Sequence, residues 1–415
     1  MKLRAYTCVL VTLLLIANLS QAADSLSSNN KIRPRLSTDQ VENQIELDKK
    51  ANPLYESKLL APIHDWKNGV AERTGFNWSL DYNALFMGVS DSLGEVNASS
   101  GVVRLFGFWD LVNRDGSNKG SLNWKVENRH SYTVVPPSGL GFESGYVGLF
   151  EPVFSDQQTR LTNLYWKQYL AEGKWAFVGG FLDVTDFVDV YLLASPWTGF
   201  NNLVFSTGSA ATDLPNDATL GLAAGGMVTD KVYIQAGLTD ADADPTDPFE
   251  GFENVFQESN FFKWIEIGFT PKQDRLYFDN IHVTFWHIDE RLNETPDGWG
   301  VNASWQKWIN DKWLPFVRGG YTEDSGSLLE KSVTVGIGYQ PVPMRGVIGV
   351  GFNWGKPNQT SFEGTDYQYS TELFWRYQLT REVAVTPSIQ YIKDPALNPE
   401  ESSLWAYGIR VRIAL

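Results

Sequence analysis

The sequence predicts an all-β fold, a transmembrane antiparallel β-barrel of about 16 strands with an inward-folded constriction loop. Three observations support this fold class: segments of about ten residues in which apolar and polar side chains alternate, an alternation of short and long connections, and the composition. Of the 415 residues, 14% are aromatic and 16 are Trp, yet the mean hydropathy is negative. Membrane barrels combine these properties because only every second residue of a strand faces lipid.

The N-terminus, residues 1–22, is predicted to be a cleaved signal peptide. Met1-Lys2-Leu3-Arg4 is basic, residues 9–17 are mostly apolar, and Ser20-Gln21-Ala22 provides the small residues of a cleavage site. The apolar run is about half of the ~20 residues that a spanning helix needs, although a retained anchor stays open as an alternative. The mature chain then lacks cysteine, because Cys8 is the only one. We expect localisation in the outer membrane of a Gram-negative bacterium.

Alternation is clearest over residues 76–86, where aromatic and aliphatic residues share one face and Asn77, Ser79, Asp81 and Asn83 share the other. Fifteen further strands are predicted near 101–111, 121–130, 161–170, 174–183, 217–227, 231–239, 259–269, 280–288, 298–306, 312–320, 331–339, 345–354, 367–379, 382–392 and 403–415. The barrel is therefore assigned to residues 71–415. Its expected surroundings are outer-membrane lipid, lipopolysaccharide and, during folding, the barrel-assembly machinery, which reads a final amphipathic strand such as 403–415.

The connections provide an independent indication of a barrel. Those after even-numbered strands are mostly short, and the longer ones follow odd-numbered strands, near 131–160, 184–216, 240–258, 321–330 and 355–366. Short periplasmic turns and long external loops produce this alternation. A soluble sandwich has no reason to produce it.

Residues 23–70 form a polar N-terminal segment. Residues 38–50 could form a polar helix capped near Ser37, and residues 59–74 contain a second helix-like stretch. The segment is equally compatible with a periplasmic tail and with a short helix at or in the barrel mouth, so the sequence leaves open whether it occludes the pore.

Selectivity in a wide barrel depends on what narrows it. Residues 184–216 are rich in apolar and aromatic side chains, including Trp197, which would be poorly placed on a loop in water. We expect this loop to fold into the lumen, with an external cap as the alternative.

Alternate residues of a strand face lipid and lumen, and this alternation (strand parity) places several charged residues inside the lumen. An Arg or Lys on the lipid face near mid-depth would lower the stability of the barrel by about 2–4 kcal/mol. A mixed set of inward charges suits a neutral, polyhydroxylated solute, and inward aromatics could stack on sugar rings. Each charge could equally well only solvate a water-filled pore. The predicted pore-lining residues are Arg104, Asp110, Glu127, Arg129, Lys167, Arg318, Glu372, Arg376, Trp197 and Phe316.

Other functions find little support in the sequence. The net charge of −15 argues against a nucleic-acid partner. Asp240, Asp242 and Asp244 mimic the start of a calcium loop, but Pro245 stands where glycine is needed, so residues 240–258 are read as an acidic outer loop with weak calcium binding left open. Neither a recognisable nucleophile motif nor a metal-ligand spacing appears. We therefore expect no enzyme activity, cofactor or metal.

Several segments together resemble the carbohydrate-selective porin (OprB) family. Among them are Trp286-His287-Ile288-Asp289 and Glu372-Leu373-Phe374-Trp375-Arg376, together with residues 127–132, 164–168, 178–183, 199–206, 298–301, 314–321 and 386–399. The resemblance spans roughly residues 60–415, and its specificity lies in the order of the segments.

The resemblance implies a sixteen-stranded outer-membrane porin that passes glucose and other sugars by facilitated diffusion, through an eyelet lined by Arg and acidic side chains. Glu127, Arg129 and Arg318 stand in matching segments and become the leading lumen residues. The alternatives are a general non-selective porin, a surface barrel whose outer loops bind a partner, and a barrel enzyme acting on lipid or glycan. Neither the sugar nor the oligomeric state, a homotrimer included, follows from the sequence.

Overall fold

We describe a computed structural model of the protein, which covers residues 39–293 and 295–415. The predicted signal peptide and the expected helix cap at Ser37 lie outside the described residues. Within them, sixteen antiparallel strands form one closed barrel in which each strand pairs with its sequence neighbours and β1 pairs with β16. The predicted fold class is confirmed.

The strands follow the predicted positions, with ends that differ by a few residues. They are β1 (Phe76–Val89), β2 (Asn97–Val112), β3 (Gly120–Ser131), β4 (Gln158–Leu170), β5 (Trp175–Leu182), β6 (Thr219–Met227), β7 (Val232–Asp240), β8 (Phe261–Phe269), β9 (Asn280–Ile288), β10 (Gly298–Gln306), β11 (Trp313–Asp324), β12 (Leu329–Tyr339), β13 (Gly346–Pro357), β14 (Gln368–Gln378), β15 (Val383–Lys393) and β16 (Ser403–Ala414).

The helices belong to the segments before and between the strands. They are α1 (Val41–Lys49), α2 (Ala61–Thr74), α3 (Pro137–Glu143) and α4 (Glu250–Glu253), with short 3₁₀ turns at Ala171–Gly173, Val184–Asp186, Leu203–Phe205, Thr207–Ala210 and Gln273–Arg275 and a π turn at Asn254–Glu258. Of the helices that the structure describes, none has the length and apolar character needed to cross a membrane.

Closure of the barrel gives the backbone groups of both terminal strands hydrogen-bond partners. β1 and β16 pair from Asp81 opposite Ala414 to Val89 opposite Ala406. Closure leaves no unpaired sheet edge, which a strand in the hydrocarbon layer could not tolerate.

Successive residues of each strand alternate between lipid and lumen. In β3, Lys125 and Glu127 are buried inside, whereas Val126 between them is exposed on the outer surface. The connections alternate as predicted, with one exception. The prediction of a long loop near 321–330 is wrong, because β11 and β12 are longer than predicted and leave only residues 325–328 between them. The pairing of Tyr321 with Lys331 continues the ladder through the predicted loop.

Three segments fill much of the lumen. The constriction loop, residues 183–218 between β5 and β6, packs apolar side chains against inward residues of β11 and β14. The connection between β3 and β4 packs Leu140, Tyr146 and Phe150 against β1, β15 and β16. Helix α1 buries Val41 and Ile45 against Phe106 and Phe108 of β2.

A charge on the lipid-facing surface should lower the stability of the barrel by an amount that depends on its depth in the membrane. Val335 lies in the middle of β12 and Val112 at the end of β2, and both are exposed on the outer surface. We expect Val335→Arg to lower the free energy of unfolding by about 2–4 kcal/mol and Val112→Arg by about 0–1 kcal/mol. Denaturant titration in lipid vesicles measures both, and equal costs would contradict the assigned orientation.

Candidate functional site

The constriction loop lies inside the barrel, as predicted. Phe200 packs edge-to-face on Phe374 of β14 with ring centroids 4.8 Å apart, and Tyr191 meets Phe316 of β11 at 5.0 Å. All four rings are buried. The alternative of an external cap is excluded, because these wall residues face the lumen.

One arginine of the wall binds the loop at three points. The guanidinium of Arg318 donates to the backbone oxygens of Ser206 (2.6 Å) and Asp189 (2.8 Å) and to Oδ2 of Asp189 (2.5 Å). It also lies 4.2 Å from the ring centroid of Tyr191. His282 of β9 approaches the other carboxylate oxygen of Asp189, with Nε2 at 3.0 Å. Burial tends to raise the pKa of Asp189, but Arg318 and His282 together lower it, so this carboxylate is held charged.

Two further wall residues bind the loop at residues 199–202. The carboxylate of Glu372 accepts the N–H groups of Asn201 (2.8 Å) and Asn202 (2.9 Å). Arg410 of β16 donates to the backbone oxygen of Gly199 at 2.9 Å and to Oδ1 of Asn201 at 2.5 Å. The loop backbone, which has no strand partner here, thus finds its hydrogen bonds on the lumen wall.

The start of the constriction loop carries two buried carboxyls. Lys125 Nζ lies 3.6 Å from Asp186 Oδ2 and 4.0 Å from Asp183 Oδ2. Burial raises the pKa of Asp186 to about 6, although Lys125 opposes the shift. Burial, together with Asp217 and Asp186, raises the pKa of Asp183 well above its usual range. One lysine is therefore shared by two carboxyl groups whose pKa values lie above those of ordinary aspartates.

The most accessible charge cluster among these lies at the junction of β3, β4 and the end of the loop. Arg129 binds Glu127 (Nε to Oε2, 2.9 Å) and Asp217 (Nη2 to Oδ2, 3.0 Å), and Arg160 reaches the same Asp217 oxygen at 2.8 Å. The side chains of Arg129 and Asp217 retain 7% and 16% exposure. Both signs of charge are adjacent at the water-facing edge of the filled lumen.

Helix α1 is held inside the lumen by polar contacts at both of its ends. Near its start, Ser195 of the loop donates to Asp39 at 2.6 Å, and Lys167 of β4 contacts Glu42 at 3.3 Å. At its end, Arg412 of β16 donates to both carboxylate oxygens of Asp48, at 2.6 and 2.8 Å.

Arg412 also connects α1 to the barrel wall. Its Nε donates to Asp81 of β1 at 2.8 Å, and Arg104 of β2 binds the same carboxylate through two hydrogen bonds, one of them at 2.8 Å. The Arg104 guanidinium then lies 3.9 Å from the ring centroid of Trp197. A continuous set of contacts thus joins α1, the wall and the constriction loop.

Open space remains beside these segments as a small cavity of about 60 Å³. Its wall includes the small side chain of Ala223 on β6, Trp264 of β8 and Phe187 of the loop. Gln40, the residue before α1, also borders it. Polar groups are few. Lys167 lies at one side, and Gln235 donates to the Phe187 carbonyl at 2.6 Å.

The structure places the predicted site residues in three situations. Arg104, Lys167, Glu127 and Arg129 lie on the wall formed by β2, β3 and β4 and are ion-paired. Arg318, Glu372 and Phe316 do not border open water, because the constriction loop covers them to 1% exposure or less, and Trp197 belongs to that loop. Asp110 and Arg376 lie towards the short connections, where they contact Lys119 (3.1 Å) and Gln378 (2.8 Å).

The sequence reasoning missed most of the partners of these residues. Asp81, Asp189, Arg160 and Asp217 each pair with a predicted residue or its partner. Strand parity had already placed Asp81 on the polar face of β1, so it could have been found. For the loop residues Asp189 and Asp217 the sequence has no comparable signal. In the described ranges, no three His, Cys, Asp or Glu side chains cluster in a way that could hold a metal ion.

Comparisons with known proteins agree with this architecture. The model of the family "Carbohydrate-selective porin, OprB family" matches residues 270–415. The resemblance to that family is confirmed.

Solved structures extend the likeness over most of the barrel. The high-pH structure of Pseudomonas putida OprB has a TM-score of 0.67 at 15% identity and covers 87% of this chain and 99% of its own. The low-pH structure of that protein has a TM-score of 0.52 with the same identity and coverage. A triple mutant of Rhodopseudomonas blastica porin has a TM-score of 0.50 at 13% identity, covering 82% of this chain and all of its own. No curated protein matches the sequence.

At these identities the structural likeness shows the fold alone. The family whose model matches residues 270–415 is one of channels rather than enzymes, and a porin-like barrel implies the Gram-negative outer membrane.

Removal of Arg318 tests the attachment of the loop. Arg318→Ala leaves Asp189 buried beside His282 without its arginine, and loss of one partner of a buried ion pair costs about 3–5 kcal/mol. We expect a loss of that size in unfolding free energy and higher single-channel conductance. Lys263→Ala, which removes an exposed ion pair with Asp289, should change stability by less than about 1 kcal/mol. Equal effects of the two variants would contradict this role for Arg318.

The raised carboxyl pKa values predict that the start of the loop opens more easily as the pH rises. The folded protein binds the protons of Asp183 and Asp186 more tightly than the unfolded chain does, so their stabilising contribution is lost from about pH 4 upward through pH 6. Hydrogen exchange of residues 184–189, corrected for intrinsic rates, should show lower protection at pH 7 than at pH 4.5. Combined Asp183→Asn and Asp186→Asn substitutions should flatten this dependence, and an unchanged slope would contradict it.

Proposed function

We propose that this chain is an outer-membrane porin through which small, glucose-like mono- and disaccharides diffuse down their concentration gradients. The observation that carries the proposal is the match of residues 270–415 to the carbohydrate-selective porin family. The proposal includes no cofactor, no metal and no nucleic acid. Outer-membrane lipid, lipopolysaccharide and the assembly machinery are its proposed surroundings, and a homotrimer stays a prediction.

The charge arrangement supports a neutral solute. Arg129 stands between Glu127 and Asp217, and Arg104 faces Asp81, so donors and acceptors alternate while their fields largely cancel. A sugar hydroxyl can accept from a guanidinium and donate to a carboxylate at the same place. A phosphate-selective pore would instead need an excess of unpaired Lys and Arg.

The cavity supplies a proposed path beside the inserted segments. Trp264 and Phe187 present aromatic surface to it, and Lys167 and Gln235 supply polar contacts. A pyranose ring has an apolar face and a polar edge, so a passage with one aromatic wall and a few polar groups matches it. In this proposal Arg318, Glu372 and Phe316 act by holding the constriction loop, whereas Glu127 and Arg129 contact the solute.

Liposome swelling tests the sugar specificity. We expect glucose and a disaccharide to enter faster than amino acids of matched size. Equal entry of amino acids would favour a general non-selective porin, and no entry of any solute would favour a surface barrel whose loops bind a partner.

Arg129→Ala should reduce glucose entry by up to about tenfold, since a hydrogen bond to a charged group contributes about 1.5 kcal/mol. The barrel should still assemble, because Arg160 continues to pair with Asp217. Lys263→Ala serves as the control at the exposed end of a strand. Unchanged glucose entry would remove Arg129 from the proposed site.

Helix α1 should limit the size of the passage. Combined Glu42→Ala and Asp48→Ala substitutions remove its contacts with Lys167 and Arg412, and we expect single-channel conductance to rise as the helix leaves the lumen. The matched control, Glu46→Ala with Lys49→Ala, removes an exposed pair from the same helix. Conductance that rises equally in both, or in neither, would contradict this role.

A further inference from the structure

Residues 52–74 cross the end of the barrel that carries the short connections, and we call them the rim segment. Backbone N–H groups of Asn52, Leu54 and Tyr55 donate to the carbonyls of Met344, Gln378 and Leu379, at 2.8–3.0 Å. These acceptors belong to or adjoin the connections between β12 and β13 and between β14 and β15. The segment therefore begins by following the rim from one turn to the next.

Helix α2 continues this path to β1. His64 meets Glu382 of the β14–β15 connection at 3.0 Å, and Lys67 donates to the backbone oxygen of Leu415 after β16. Gly75, with φ of 77°, ends the helix, and β1 begins at the next residue. Because its successive turns contact the ends of β15, β16 and β1, α2 lies along the rim rather than pointing away from it.

The rim segment exposes a row of apolar side chains. Leu59, Ile63 and Trp66 are spaced by four and three residues, and they are 83%, 39% and 56% exposed. The spacing of Ile63 and Trp66 places both on one side of α2, and Leu59 lies in the turn just before that helix. Leu54 and Tyr55, which precede them along the rim, are also exposed. Five exposed large apolar side chains along one short segment mark an interaction surface.

This surface is continuous with the lipid-facing surface of the barrel. Trp66 packs edge-to-face on Trp78 of β1, with ring centroids 6.2 Å apart. Trp78 is on the outer face, since its neighbours Ser79 and Asp81 face the lumen. Close by, the exposed ring of Trp109 donates from its indole nitrogen to the Thr74 carbonyl at 3.1 Å. Aromatic girdles of this kind mark the membrane–water boundary of a barrel.

We propose that the rim segment is an interfacial anchor whose apolar side lies in the phospholipid leaflet on the side of the short connections. His64 and Lys67 of α2 face the barrel rim, Asp65 and Glu72 face water, and its apolar side extends the aromatic girdle below the ends of β1 and β16. Helices with one apolar and one polar side lie in the plane of the interface in this way. The anchor is independent of the solute that the channel conducts.

Spin labels test the anchor in the full chain, with Cys8→Ser, reconstituted in phosphatidylethanolamine–phosphatidylglycerol vesicles. Single cysteines at Leu59 and Ile63 report on the apolar side, and matched cysteines at Asp65 and Glu72 report on the polar side of the same segment. A label at Val335, on the lipid face of β12, calibrates the response. Heat-modifiable migration on gels verifies that each labelled barrel is folded.

Collisional relaxation by dissolved oxygen and by a neutral nickel chelate distinguishes lipid from water. We expect labels at 59 and 63 to resemble the label at 335, with oxygen dominant, and labels at 65 and 72 to favour nickel. Nickel dominance at 59 and 63 would overturn the proposal. Low access to both reagents with spin–spin broadening would also overturn it, because a second copy of the chain would then cover this surface.

Discussion

The structure depends on one constraint, which is that charge excluded from the lipid face has to be neutralised inside the barrel. Arg104, Arg318, Arg410 and Arg412 all point inward, and their exposure is 6% or less. A buried guanidinium without a partner would cost several kcal/mol, so a lumen wall of this kind requires carboxylates and carbonyls opposite it. The constriction loop and α1 provide them for Arg318, Arg410 and Arg412, whereas Arg104 pairs with Asp81 of β1.

The narrowing of the barrel follows from these pairings. Asp189 and the backbone around Asn201 bring the constriction loop to the wall, and Asp48 brings α1 to Arg412. Loop segments and helix ends carry carbonyl groups without strand partners, which makes them suitable acceptors for inward arginines. Charges that a wide pore would expose to water thus hold the segments that fill it.

Much of the barrel could be predicted from the sequence, because strand alternation and connection length are local properties. The alternation of residues along β3 alone placed Glu127 and Arg129 in the lumen. The partners could not be predicted, since Arg318 and Asp189 are 129 residues apart and Arg412 and Asp48 are 364 apart. Their meeting depends on the closure of all sixteen strands and on the path of an irregular loop. The position of α1 could not be predicted either, because only Val41 and Ile45 form the apolar contact that holds it against the barrel wall.

The most direct test of this account is a double-mutant cycle on Arg318 and Asp189. Unfolding free energies of the wild type, Arg318→Ala, Asp189→Ala and the double variant give the coupling between the wall and the loop. We predict a coupling of about 2–3 kcal/mol, because each single variant leaves a buried charge with fewer partners. Additive effects, within about 0.5 kcal/mol, would contradict the claim that inward charges hold the loop in the lumen.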